Sequence, residues 1–177
     1  MELDKIRISD VPWQRLTTPY GRGTELPALL AERRYPEIAN LIEHQSTLWQ
    51  VTPWVLLFLL RELDSREPEQ VETEEIRLYA AVAASVGDAG EGEPVPAMSD
   101  LLDARYWWPE SEEDDDGGWE EGEPPGYDQT AFYSYYAYSG RLLVQALPLF
   151  RTIRKGQETL AAEIDGLIES LEALKGE

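Results

Sequence analysis

Seven consecutive apolar residues, Trp54-Val55-Leu56-Leu57-Phe58-Leu59-Leu60, constrain this chain more than any other feature. Thr52-Pro53 precedes them, a capping residue followed by proline at the first helical position, and together they predict a helix running through Leu63. A helix that is apolar on every side has to be enclosed by its neighbours, so this one is expected at the centre of the core. The run is far shorter than the roughly 20 residues that cross a bilayer, which argues against a membrane span.

The other segments read as partners for that helix. Leu26, Leu29 and Leu30 give an inward face after Thr24, with Glu25 near the positive helix start and Pro27 in the first turn. After a break at Tyr35-Pro36, the stretch from Glu37 to His44 places Ile38, Leu41 and Ile42 at helical spacing. Ile76, Tyr79, Ala80, Ala83 and Val86 form another face, which stops at Gly87. Phe132, Tyr135, Tyr136, Leu142, Leu143, Ala146, Leu147 and Phe150 are compatible with one helix, bent near Gly140 or Pro148. Leu160, Ile164, Leu167, Ile168, Leu171 and Leu174 then repeat at 3.6 residues up to Gly176. No segment shows strand-like alternation. The expected class is all-α in consecutive helix pairs, one helical domain over residues 1–177 with N-terminal pairs over 13–86 and a C-terminal pair over 130–175.

Two segments interrupt the helices. Residues 87–98 are rich in Gly, Pro and Glu and read as a flexible linker, followed by a short helix capped by Ser99. Residues 106–129 form an acidic insert, partly disordered because its Gly, Pro and carboxylates bury too little to order it. Charge follows the same division: residues 1–66 carry 8 basic and 9 acidic side chains, residues 67–128 carry 2 and 20, and residues 129–177 carry 5 and 6. Nearly all of the formal charge of -20 therefore lies in the middle third. A block of one sign repels nucleic acid and anionic lipid and steers basic partners toward it.

Several residue classes narrow the function. There is no cysteine, which removes disulfides and thiolate chemistry and gives no reason for an oxidising compartment. The start, Met1 to Arg7, lacks an apolar signal core, so the expected location is the cytoplasm. His44 is the only histidine and reads as a hydrogen-bonded element at a helix end, with contact to a partner as its other reading. No nucleophile, phosphate loop or spaced acid/base pair accompanies it, so neither enzyme activity nor a cofactor is expected. Glu112-x-Asp114-x-Asp116-Gly117-x5-Glu123 copies calcium-loop spacing, but Pro109 and Pro124-Pro125 deny it flanking helices, and no metal is expected.

The stretch Trp13…Leu16-Thr17…Pro19-Tyr20-Gly21…Thr24 to Leu30, then Ile42-Glu43-His44-Gln45-Ser46-Thr47-Leu48…Val51 to Leu60, resembles a bacterial family of HEAT-like helical-repeat proteins regarded as polymorphic-toxin immunity proteins. That family places a Tyr-Gly loop before a Leu-rich helix, then a His-Gln-x-Thr turn before a Thr-Pro helix start. The resemblance covers residues 13–63. It implies a HEAT-like stack of about six to seven antiparallel helices and a stoichiometric inhibitor that binds and neutralises a cognate bacterial toxin domain.

The candidate contact is the acidic insert. Glu110, Glu112, Glu113, Asp114, Asp115, Asp116, Glu120 and Glu121 are placed to pair with lysines and arginines around a basic toxin surface, with Trp119 as an anchor. Tyr106, Trp107 and Trp108 either extend that surface as an exposed patch or pin the insert to the helical body. Tyr133, Tyr135, Tyr136 and Tyr138 read as core for at least half their number, or as a partner-facing stripe. The chain is expected to be a monomer alone, without direct contact to nucleic acid or membrane. The rival reading is an acidic adaptor or nucleic-acid mimic for a basic housekeeping protein.

Overall fold

The leucine-rich run becomes helix α3, Thr52–Asp64, in the computed structural model, which describes residues 3–87, 92–113, 115 and 128–176. Trp54, Val55 and Leu56 have no exposed surface, and of the run only Phe58 reaches the edge, against Trp13. Pro53 lies in the first turn, and the Thr52 hydroxyl accepts from the Trp49 amide at 2.9 Å and donates to the Ile42 carbonyl. Thr52 thus ties the helix start to the preceding helix, but it is the first helical residue and not the cap: Val51 holds the cap position, with no side-chain hydrogen bond to the first turn.

The remaining helices are α1, Leu26–Glu32; α2, Tyr35–Ile42; α4, Thr73–Gly87; α5, Gln129–Gln145; α6, Leu147–Gly156; and α7, Ala161–Gly176. They pack in two rows: α1 beside α3 and α3 beside α5 in one, α2 beside α4 and α4 beside α7 in the other. Helix α5 also touches α4 and α7, and α6 lies against α7, so a single apolar cluster runs through both rows. The described residues are mostly helical. Each large apolar side chain fully removed from water contributes about 1.5–3 kcal/mol, and α3 supplies the densest set.

Several boundaries differ from those expected, each for a local reason. Helix α2 begins at Tyr35, because Pro36 fits a first turn, where no amide is needed, rather than breaking the chain. It stops at Ile42, and Glu43–His44 (β3) pairs antiparallel with Thr47–Leu48 (β4). A second small hairpin joins Thr17–Thr18 (β1) to Gly21–Arg22 (β2). Two-residue strands are too short to leave a period-two signature in the sequence. Gly21 sits at φ +122, and a side chain at Gly23 would meet Val51 at 2.8 Å, so this loop requires both glycines.

The single helix expected over residues 130–150 is two: α5 ends at Gln145 and α6 restarts at Leu147, with Pro148 in its first turn. The short helix after the linker is a 3-10 turn, Met98–Leu102, whose start is held by the Asp100 carboxylate accepting from the Ala97 amide, not by Ser99. The described part of the linker is not free. Val95 is buried, its amide donating to Ser134 Oγ at 2.8 Å and its carbonyl accepting from Tyr138 OH at 2.6 Å.

One ion pair lies inside the core. Glu75 of α4 is wholly buried and accepts from Arg66 and, at 3.0 Å, from Tyr79 OH, while Arg66 also donates to Tyr35 OH at 3.2 Å. Burial first, then the Glu75 charge, pushes both tyrosine hydroxyls well above their ordinary pKa. Burial, the largest single effect, would lower Arg66, but the hydrogen bond to Glu75 and the Glu75 charge, with smaller help from Tyr35 and Glu62, together outweigh it and hold the guanidinium charged.

Candidate functional site

The acidic insert is rooted on the loop and hairpin built by residues 13–22. Arg15 and Arg22 do the anchoring. The Trp108 amide donates to the Arg15 carbonyl at 2.9 Å, and Arg15 Nε returns a bond to the Trp108 carbonyl at 2.6 Å. The Arg15 guanidinium lies 5.1 Å from the Trp107 ring centroid, a cation–π contact. Tyr106 is fixed from the other side, its carbonyl accepting from Gln50 Nε2 at 2.6 Å while Gln50 Oε1 accepts from the Thr17 amide at 2.9 Å.

Arg22 is the central clamp. Its side chain is only 5% exposed and grips Asp115 with two parallel bonds, Nε to Oδ2 at 2.7 Å and Nη2 to Oδ1 at 2.6 Å. The remaining donors reach the carbonyls of Gln14 at 2.9 Å, Pro109 at 2.8 Å and Ser111 at 3.0 Å. The planar fork of arginine suits this geometry, which a lysine would not reproduce. The Asp115 bond raises the already high pKa of Arg22.

These contacts sort the expected binding residues. Tyr106 and Trp108 are buried and Trp107 is half-buried, so the trio pins the insert, and Tyr106 and Trp108 do not form an exposed patch. Asp115 serves the clamp and is mostly covered. Glu110, Glu112 and Glu113 face solvent; the Glu110 side chain is 92% exposed and that of Glu112 69%. Asp114, Asp116, Trp119, Glu120 and Glu121 lie outside the described residues, as does most of the calcium-like spacing. Among the described residues no group of three His, Asp or Glu side chains is arranged to hold a metal ion.

Two residues beside the root stand out. Tyr20, at the tip of the β1–β2 hairpin, is 68% exposed, the largest exposure of any big apolar side chain described. It meets exposed His44 edge-on at 5.7 Å between ring centroids, with Tyr20 OH 3.4 Å from Nδ1. His44 thus lies on a hairpin just past the end of α2, bonded to a surface tyrosine. The turn between β3 and β4 holds both Gln45 and Ser46 at positive φ, 52° and 62°. Such a turn normally uses Asn and Gly, and other residues there cost about 1–2 kcal/mol each. The strain is held by the Glu43 carboxylate on the Ser46 amide at 2.9 Å and by Tyr136 OH, 3.2 Å from both the Ser46 carbonyl and the Leu48 amide.

Of the tyrosine cluster, Tyr135, Tyr136 and Tyr138 are buried and Tyr133 is half-buried, which bears out the core reading for most of it. Tyr20 stands in the Tyr-Gly loop of the family resemblance but was not among the expected contact residues, Arg15 and Arg22 carry no motif of their own, and the charge block alone gives no sign of a clamp. No helix among the described residues is long and apolar enough to cross a membrane. The chain matches no protein-family model, and no curated protein and no solved structure matches it.

Proposed function

We propose that this protein is a stoichiometric inhibitor of the immunity type, which binds a cognate bacterial toxin domain through the root of the acidic insert and the adjoining hairpin tips. The observation that carries this reading is the Arg22 clamp. It fixes the backbone of Pro109 and Ser111 to a rigid hairpin and leaves the carboxylates of Glu110 and Glu112 in solvent. Charges held in place before contact lose less entropy on binding than charges on a loose chain. The acidic block over residues 67–128 adds a field that accelerates encounter with a basic partner.

Tyr20 beside His44 supplies the aromatic anchor that a charged rim needs, since desolvated aromatic contacts dominate binding energy. Trp119, Asp114, Asp116, Glu120 and Glu121 belong to this reading on sequence grounds. The two rows of helices support a HEAT-like stack as the scaffold. Action in the cytoplasm, as a monomer until it meets its toxin, completes the proposal.

The test is co-expression with the product of the neighbouring gene, the proposed toxin partner. The Glu110→Gln, Glu112→Gln, Glu113→Gln triple variant should keep its fold by circular dichroism and lose growth protection and complex formation. A triple variant that protects as well as the parent places the interface elsewhere on the helices.

A further inference from the structure

Away from the acidic root, an open groove of about 480 Å³ lies where the ends of α4 and α7 meet the outer stripe of α5. Its volume falls within the range of small-ligand sites. Val86, Val144 and Leu174 supply apolar walls, and the floor is Ala137 and Gly140. Gly140 keeps the floor low: a side chain there would meet Val86 at 2.8 Å.

The charge of the groove runs opposite to that of the protein. Arg141 and Lys175 line it, and both are exposed. Most arginines of the chain pair with a carboxylate, whereas among the described residues no ion pair includes these two. Arg141 instead lies 5.0 Å from the ring centroid of Tyr138. In a chain with 35 acidic and 15 basic side chains, two cations with no carboxylate partner among the described residues, beside apolar groove walls, form a site of selective complementarity.

We propose that this groove binds a small amphipathic anion, a molecule with a flat or chain-like apolar body and one carboxylate. The body lies over Ala137 and Gly140, and the carboxylate bridges Arg141 and Lys175. Tyr136 connects this site to the rest of the molecule, because it lines the groove and its hydroxyl props the β3–β4 turn. Occupancy therefore registers at the Leu48 amide, on the far side of that hydroxyl.

The experiment is calorimetric titration of the full chain with 2-naphthoate and with uncharged 2-naphthalenemethanol, accompanied by NMR of the Leu48 amide. Saturable binding of 2-naphthoate with a shift at Leu48 is expected. Its affinity should exceed that of the alcohol about tenfold or more, as for a charge-assisted contact, and drop by a similar factor in the Arg141→Gln, Lys175→Gln variant. No saturable binding at millimolar 2-naphthoate overturns the proposal, as does an affinity indifferent to the paired substitution.

Discussion

Removing the Arg22 clamp tests whether the acidic root is built into the fold or merely lies upon it. Arg22 and Asp115 share two charge-assisted bonds, with the arginine 5% and the aspartate 19% exposed. Such bonds contribute about 1.5–3 kcal/mol each when desolvated, and partial exposure of Asp115 puts the pair near about 2 kcal/mol. The three carbonyls released by Arg22→Ala lie near the surface and regain water, adding about 1 kcal/mol in total. Arg22→Ala should therefore cost about 3 kcal/mol and Asp115→Ala about 2 kcal/mol, while the double variant costs about 3 kcal/mol and not their sum. For a chain of this length the first loss corresponds to a fall of roughly 6–12 °C in Tm. Urea titrations of the four proteins complete the double-mutant cycle. Strictly additive losses, or an Arg22→Ala protein as stable as the parent, would refute the clamp.

Three further outcomes follow from the interior. Arg66→Met strands the buried Glu75 carboxylate and should cost about 3–5 kcal/mol, whereas Arg66→Met with Glu75→Leu should recover most of that loss in urea melts. Stability should fall as pH rises above about 10, because Tyr35 and Tyr79 ionise in the unfolded chain while the folded state keeps them protonated. Their folded pKa values are raised, so their contribution is complete below that pH and declines by about 1.4 kcal/mol per pH unit for each; replacing both by Phe should flatten the alkaline limb of a Tm-against-pH curve. Leu56→Ala, at a position with no exposed surface, should lose about 2–5 kcal/mol by chemical denaturation, and a loss below 1 kcal/mol would contradict the central place given to α3.

The sequence carried the helices better than the site. Helix α3 was legible because an unbroken apolar run has one physical solution, and α7 because its leucines keep a single period. The split at Ala146 and the start of α2 at Tyr35 were ambiguous, since proline suits both a first turn and a break. The two hairpins escaped notice because pairs of two residues have no period. The clamp was invisible for another reason: Arg22 and Asp115 lie 93 positions apart, and nothing in either neighbourhood announces the other. What charge counting located was the field, and what it missed was the rigid mount, Arg15, Arg22 and Gln50, which decides which carboxylates face outward. The aromatic trio shows the same limit, for Tyr106 and Trp108 are spent on anchoring and Tyr20 takes the exposed position.

The most direct test is calorimetric titration of the purified chain with the product of the neighbouring gene, the proposed toxin partner, repeated across ionic strength. One-to-one binding is expected that weakens steadily with added salt and loses at least about tenfold in affinity when Glu110, Glu112 and Glu113 become glutamine. Binding indifferent to both salt and the triple substitution, or no binding at all, would contradict the proposed function.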